Sequence, residues 1–134
     1  LKKSILITVV TSLLVTFIIF TGSISALAAD FWSGDQQNLN VTGFTDASYY
    51  TKKAKTVDFT LSSPYPGDHT NKGNLYLQRK SGNKWTTCKK TSFAFVDHVT
   101  KSFSLKGCKT GYYRVKATFN TKVTNTTNSF KINR

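Results

Sequence analysis

From Leu39 onward polar and apolar residues alternate with a period of two in short runs rich in Thr, Val, Phe and Tyr, and no stretch keeps a 3.6-residue period for three turns. Such a chain can bury one side of an extended segment but has no apolar stripe to give a helix. It therefore reads as all-β, with seven to eight short strands over 39–45, 55–62, 74–80, 84–89, 92–96, 100–105, 112–120 and 128–133. Turn chemistry separates the runs. Ser63-Pro64-Tyr65-Pro66-Gly67-Asp68 cannot continue a ladder because proline lacks the donor, Ser81-Gly82-Asn83 suits a tight hairpin, and Gly107 with Gly111 brackets a corner.

The alternation also assigns faces. Val57, Phe59, Leu61, Leu75, Leu77, Phe103, Leu105, Tyr113, Val115, Ala117, Phe119, Phe130 and Ile132 point inward and form the expected core. That many strands in about 100 residues suggest two packed sheets in one antiparallel β-sandwich over 39–134.

The start of the chain has a different logic. Lys2 and Lys3 precede a nearly uncharged apolar run over 5–20, and Ala26-Leu27-Ala28 supplies small residues for a signal peptidase. The run is short for a span and lacks a charged stop-transfer flank, so 1–28 is read as a cleaved signal peptide with Ala29 as the alternative end, and no transmembrane segment remains after cleavage. Leu1 at the apparent start, in a chain without methionine, suggests a non-AUG codon and a bacterial source. Residues 29–38 are polar apart from Ala29, Phe31 and Trp32 and are expected to trail as a loose N-terminal arm.

Without the leader's two lysines, 17 basic residues face six acidic ones, a net charge of +11 on about 105 residues. This length supports one domain and excludes a multidomain enzyme. Sixteen of the 18 aromatics lie in this part, too many for a disordered chain.

The segment from Leu75 to Phe119 resembles immunoglobulin-like and fibronectin-III-like sandwiches through Leu75-Tyr76-Leu77-Gln78-Arg79, the Gly82-Asn83-Lys84-Trp85 hairpin, and Gly111-Tyr112-Tyr113-Arg114-Val115-Lys116-Ala117. It also resembles small secreted proteins of Gram-positive bacteria, of uncharacterised function, that share this layout. The resemblance implies that Tyr113 is the corner tyrosine, its hydroxyl returning to the upstream backbone. Neither cysteine sits where the usual inter-sheet bridge of immunoglobulin domains lies.

Cys88 and Cys108, an even pair in an exported chain, are expected to form a disulfide. If Leu77 opposes Cys88 across the hairpin, Cys88 points inward toward Cys108. The alternative is a zinc or thiol site completed by His98 and His69, although the spacing matches no familiar zinc motif. Asp68-His69 and Asp97-His98 suggest a dyad, but neighbours in extended chain point apart, so neither aspartate is expected to orient its own histidine. There is no glutamate, nucleophile elbow, metalloprotease helix or phosphate loop, so the chain is read as no enzyme, with no cofactor and no metal. The sequons at Asn40 and Asn125 are expected to be silent in a bacterial product.

The remaining signal is cationic. If the strands over 74–80, 112–120 and 128–133 are neighbours, the alternation turns Tyr76, Gln78, Lys80, Tyr112, Arg114, Lys116 and Lys131 onto one outer face, and Trp85 joins if it pairs with Lys80. Rings interleaved with cations suit a phosphate-bearing or sugar polymer. The expected function is a secreted, extracellular or cell-wall-associated, monomeric binding module for an anionic polymer or membrane surface, such as teichoic acid or acidic polysaccharide. No dedicated nucleic-acid motif is present. The alternatives are a cationic antimicrobial or toxin-like effector, a secreted inhibitor acting through a loop over 63–73, and a charge that serves solubility and edge-strand protection alone.

Overall fold

A computed structural model of the protein describes residues 28–32, 40–64 and 69–134, with Trp32 described through its backbone. The leader over 1–27, residues 33–39 of the arm and first strand, and the stretch from Tyr65 to Asp68 lie outside the described residues. Among the described residues the secondary structure is all strand: β1 (Asp30–Trp32), β2 (Thr42–Thr45), β3 (Tyr49–Tyr50), β4 (Thr56–Ser62), β5 (Asn71–Ser81), β6 (Lys84–Phe95), β7 (His98–Ser104), β8 (Gly111–Phe119), β9 (Thr124–Thr126) and β10 (Phe130–Ile132). Within those residues no helix is long and apolar enough to cross a membrane.

Two sheets result. One has the order β1-β2-β4-β7; the other has the order β3-β10-β8-β5-β6, with β9 also paired to β8. Pairing is antiparallel throughout except for β3, which runs parallel to β10. The inward residues of both sheets form one buried cluster, and every side chain assigned inward by alternation lies in it. At roughly 25 cal/mol per Å² of apolar surface, burying a Leu or Phe contributes about 1.5–3 kcal/mol, so this shared interior holds the sheets together.

The turns follow from glycine. A two-residue loop joins Ser81 to Lys84, with Gly82 first at φ 59°, the glycine-first arrangement whose twist matches the flanking strands. After β7 the Cys108 N–H donates to the Leu105 carbonyl at 3.0 Å, and Gly107 at φ 80° takes the third position of that turn.

Four expectations need correction. The runs over 84–89 and 92–96 are one strand, β6, because Lys89, Lys90 and Thr91 keep pairing with β5 past a bulge at Cys88. Leu77 pairs with Lys89 and Gln78 with Thr87, so Cys88 is the extra residue and does not oppose Leu77. The run over 128–133 contracts to β10 and is preceded by β9. Residues 29–32 are not a loose arm: β1 pairs with β2, Ala29 is buried, and Phe31 stacks 5.9 Å from Phe59. The Ala29 N–H donates to the buried Thr45 Oγ1 at 2.9 Å, and the Ala29 carbonyl accepts from the Thr45 N–H at 2.8 Å. Glycine at position 43 permits this docking, since a Cβ there would lie 2.6 Å from the Phe31 ring.

Candidate functional site

The outer face of the β3-β10-β8-β5-β6 sheet collects the residues that alternation pointed outward. Tyr49 on β3 pairs with Lys131 on β10, which pairs with Tyr112 on β8, making an aromatic–cation–aromatic row. Tyr49 and Tyr112 are each about half exposed, and the Lys131 ammonium lies 4.6 Å from the centre of the Tyr112 ring. Lys80 pairs with Trp85 at the hairpin end of β5 and β6. One step along, Arg114 pairs with Gln78, which pairs with Thr87. One step further, Lys116, Tyr76 and Lys90 form a row in which both ammonium groups flank the Tyr76 ring, at 5.6 and 5.4 Å. Adjacent strands lie about 4.8 Å apart, so charge and ring alternate on that scale across the sheet.

The geometry brings all eight expected ligand-binding residues together: Tyr76, Gln78, Lys80, Trp85, Tyr112, Arg114, Lys116 and Lys131. Sequence reasoning missed three more. Thr87 shares the parity of Trp85, and the bulge after it shifts the parity of β6, so Lys90 joins the outer face where an unbroken alternation starting from Trp85 would choose Lys89. Tyr49 was missed because its partner strand is the last in the chain and pairs in parallel.

Arg114 is the most constrained cation on the face. Its guanidinium carbon lies 4.4 Å from the centre of the Trp85 ring, and its Nε–H donates to the Gln78 Oε1 at 3.0 Å. Burial lowers the Arg114 pKa from its ordinary value. Gln78 is only 8% exposed, and its Nε2 donates to the Thr87 Oγ1 at 3.4 Å.

Carboxylates are segregated from this face. Of the described ones, Asp30 and Asp58 lie on the opposite sheet and Asp46 and Asp97 in loops; among the described residues the one charged pair is Asp97 with His98. Asp46 accepts from the Tyr50 hydroxyl and the Asp58 N–H, and Asp58 accepts from the Ser102 hydroxyl. Among the described residues Lys90, Lys116 and Lys131 on this face are thus met by aromatic rings, and Arg114 by a ring and the Gln78 oxygen, not by carboxylates.

Two other groups were candidates for chemistry. The Asp97 carboxylate does meet the His98 Nδ1, at 2.9 Å, contrary to expectation, because Asp97 lies in the β6–β7 turn, where extended-chain alternation does not hold, and His98 is the first residue of β7. The pair is about two-thirds exposed, and among the described residues no nucleophile is hydrogen-bonded to it. Cys88 and Cys108 form a disulfide joining the bulge of β6 to the turn after β7, which removes both sulfurs from the zinc alternative. Tyr113 is fully buried, and its hydroxyl donates to the Lys109 carbonyl at 2.6 Å, four residues upstream.

No known family model matches the chain, and no curated protein is found to be similar to it.

Proposed function

We propose that this is a secreted, non-enzymatic binding module whose β3-β10-β8-β5-β6 face attaches to an anionic polymer of the cell envelope, with teichoic acid the preferred chemistry. The carrying observation is that the face concentrates Lys80, Lys90, Arg114, Lys116 and Lys131 and that, among the described residues, no carboxylate pairs with any of them. Like charges held this close repel one another, and a polyanion relieves that repulsion while releasing its own counterions. Export is inferred from the leader over 1–28, and the disulfide fits an oxidising compartment. A Gram-positive source is part of the same reading, resting on the hairpin followed by Tyr113-Arg114-Val115-Lys116.

The scaffold is read as an immunoglobulin-like or fibronectin-III-like sandwich. Support comes from β2-β4-β7 in one sheet opposed to β10-β8-β5-β6 in the other, and from the corner hydrogen bond of Tyr113. The test is retention of the mature protein on three surfaces: Gram-positive walls, the same walls stripped of teichoic acid, and anionic phospholipid vesicles. Retention on intact walls alone supports the reading. Equal retention on stripped walls contradicts it, and vesicle binding with leakage favours a membrane-active effector instead.

A further inference from the structure

The three arginines of the domain are used differently. Arg79 donates through Nε and a terminal nitrogen to the Thr110 carbonyl, at 3.2 and 3.1 Å, and Arg134 donates to the Ala54 carbonyl. Both are engaged by backbone carbonyls outside the strands. Arg114 makes one hydrogen bond, from Nε–H to Gln78, and its plane is backed by Trp85, so among the described residues its two terminal amino groups have no protein acceptor. They form the edge of the guanidinium that matches two oxygens of an oxyanion. Gln78 is nine-tenths buried and is itself held by Thr87, so the fork has been oriented before any ligand arrives. Orientation in advance reduces the side-chain entropy lost on binding.

We propose that Arg114 is a preorganised receptor for a single phosphate group, with Gln78 and Trp85 as its positioning residues. This rests on the reading of the face as a binding surface and specifies what it recognises. Lys116 lies two residues along β8 and Lys80 two residues along β5 from Gln78, on the same face. A tetrahedral phosphate can give two oxygens to the Arg114 fork and turn the others toward these ammonium groups. A planar carboxylate whose two oxygens face the fork has no further oxygen to turn toward these ammonium groups.

The experiment titrates glycerol 3-phosphate, and separately acetate, into the mature protein at matched ionic strength and follows the Arg114 Nε–H cross-peak by heteronuclear NMR. Glycerol 3-phosphate should shift it saturably, and acetate should be weaker. Arg114→Lys keeps the charge but loses the fork, and should weaken glycerol 3-phosphate binding by about tenfold. Gln78→Glu keeps an oxygen acceptor for Nε–H but supplies an internal anion; it should abolish the response while leaving the urea midpoint at or above that of the parent. A purely structural Arg114–Gln78 contact predicts that neither variant changes phosphate binding. That result, or an unsaturable shift, or equal response to acetate, overturns the proposal. If walls fail to retain the protein while Arg114 still binds glycerol 3-phosphate, the polymer reading falls and the receptor stands; if walls retain Arg114→Lys like the parent, the receptor falls and the polymer reading stands.

Discussion

Tyr113 and Tyr112 are neighbours of identical chemistry with opposite environments, 0% and 54% exposed. Tyr113→Phe removes one hydroxyl, the donor to the Lys109 carbonyl at 2.6 Å, and leaves the ring in place. A net hydrogen bond is worth about 0.5–1.5 kcal/mol, and because Lys109 is exposed, water can partly replace the lost donor, so the expected cost is about 1 kcal/mol. In a domain of this size that corresponds to a Tm lower by about 4–8 °C. Tyr113→Ala also deletes a ring packed 6.4 Å from Phe130, and an unfilled aromatic site costs about 3–5 kcal/mol. Tyr112→Phe and Tyr112→Ala should change stability by less than about 0.5 kcal/mol, since that ring meets mainly solvent and Lys131. Urea denaturation monitored by circular dichroism reads all four. Sensitivity at Tyr112 with tolerance at Tyr113 would invert the register of β8 and move Arg114 and Lys116 to the interior.

Opening the Cys88–Cys108 bridge, 20 residues apart in sequence, should cost about 3 kcal/mol on the chain-entropy account, measured as the urea midpoint of the Cys88→Ala, Cys108→Ala double variant; an unchanged midpoint refutes it. Tyr50 and Tyr113 have hydroxyls whose pKa is raised in the fold, chiefly by burial. The folded state therefore holds protons that the unfolded state releases, so this stability is intact below about pH 10 and is lost as pH rises through and beyond it. Tyr50→Phe should flatten that alkaline loss, and a parallel decline in both proteins would contradict the assignment. Lys122 is a non-glycine residue at φ 67°, so Lys122→Gly should stabilise by up to about 1 kcal/mol in the same urea assay, and a loss would show that its side chain contributes more than the backbone geometry costs.

The core was legible because period-two parity needs no tertiary information. Once Leu75 and Leu77 face inward, Tyr76 and Gln78 must face out, and burial of both leucines follows the rule. Parity fails where a residue is inserted, and nothing in Thr86-Thr87-Cys88-Lys89-Lys90 marks Cys88 as the extra one. The exchange of Lys89 for Lys90 on the outer face was therefore invisible in the sequence. Ala29 and Phe31 looked like part of an arm because three residues carry too short a pattern, and their pairing depends on Gly43 leaving room on β2. Tyr49 required knowledge that the last strand returns beside it. The orientation of Arg114 depends on the burial of its cross-strand partner Gln78, which alternation does not encode.

The central claim is that one face, and not total charge, attaches this domain to a polyanion. Two triple charge reversals test it at equal net charge: Lys80→Glu, Arg114→Glu and Lys116→Glu on the face, against Lys52→Glu, Lys53→Glu and Lys55→Glu in the exposed segment before β4. The measurement is retention on teichoic-acid-bearing walls across a salt series. The parent's log affinity should fall linearly with log salt, because each neutralised phosphate releases a counterion. The face triple should lose retention and flatten that slope, while the triple in the segment before β4 should keep both nearly unchanged. Equal losses from the two triples, or a parent indifferent to salt, would contradict the account.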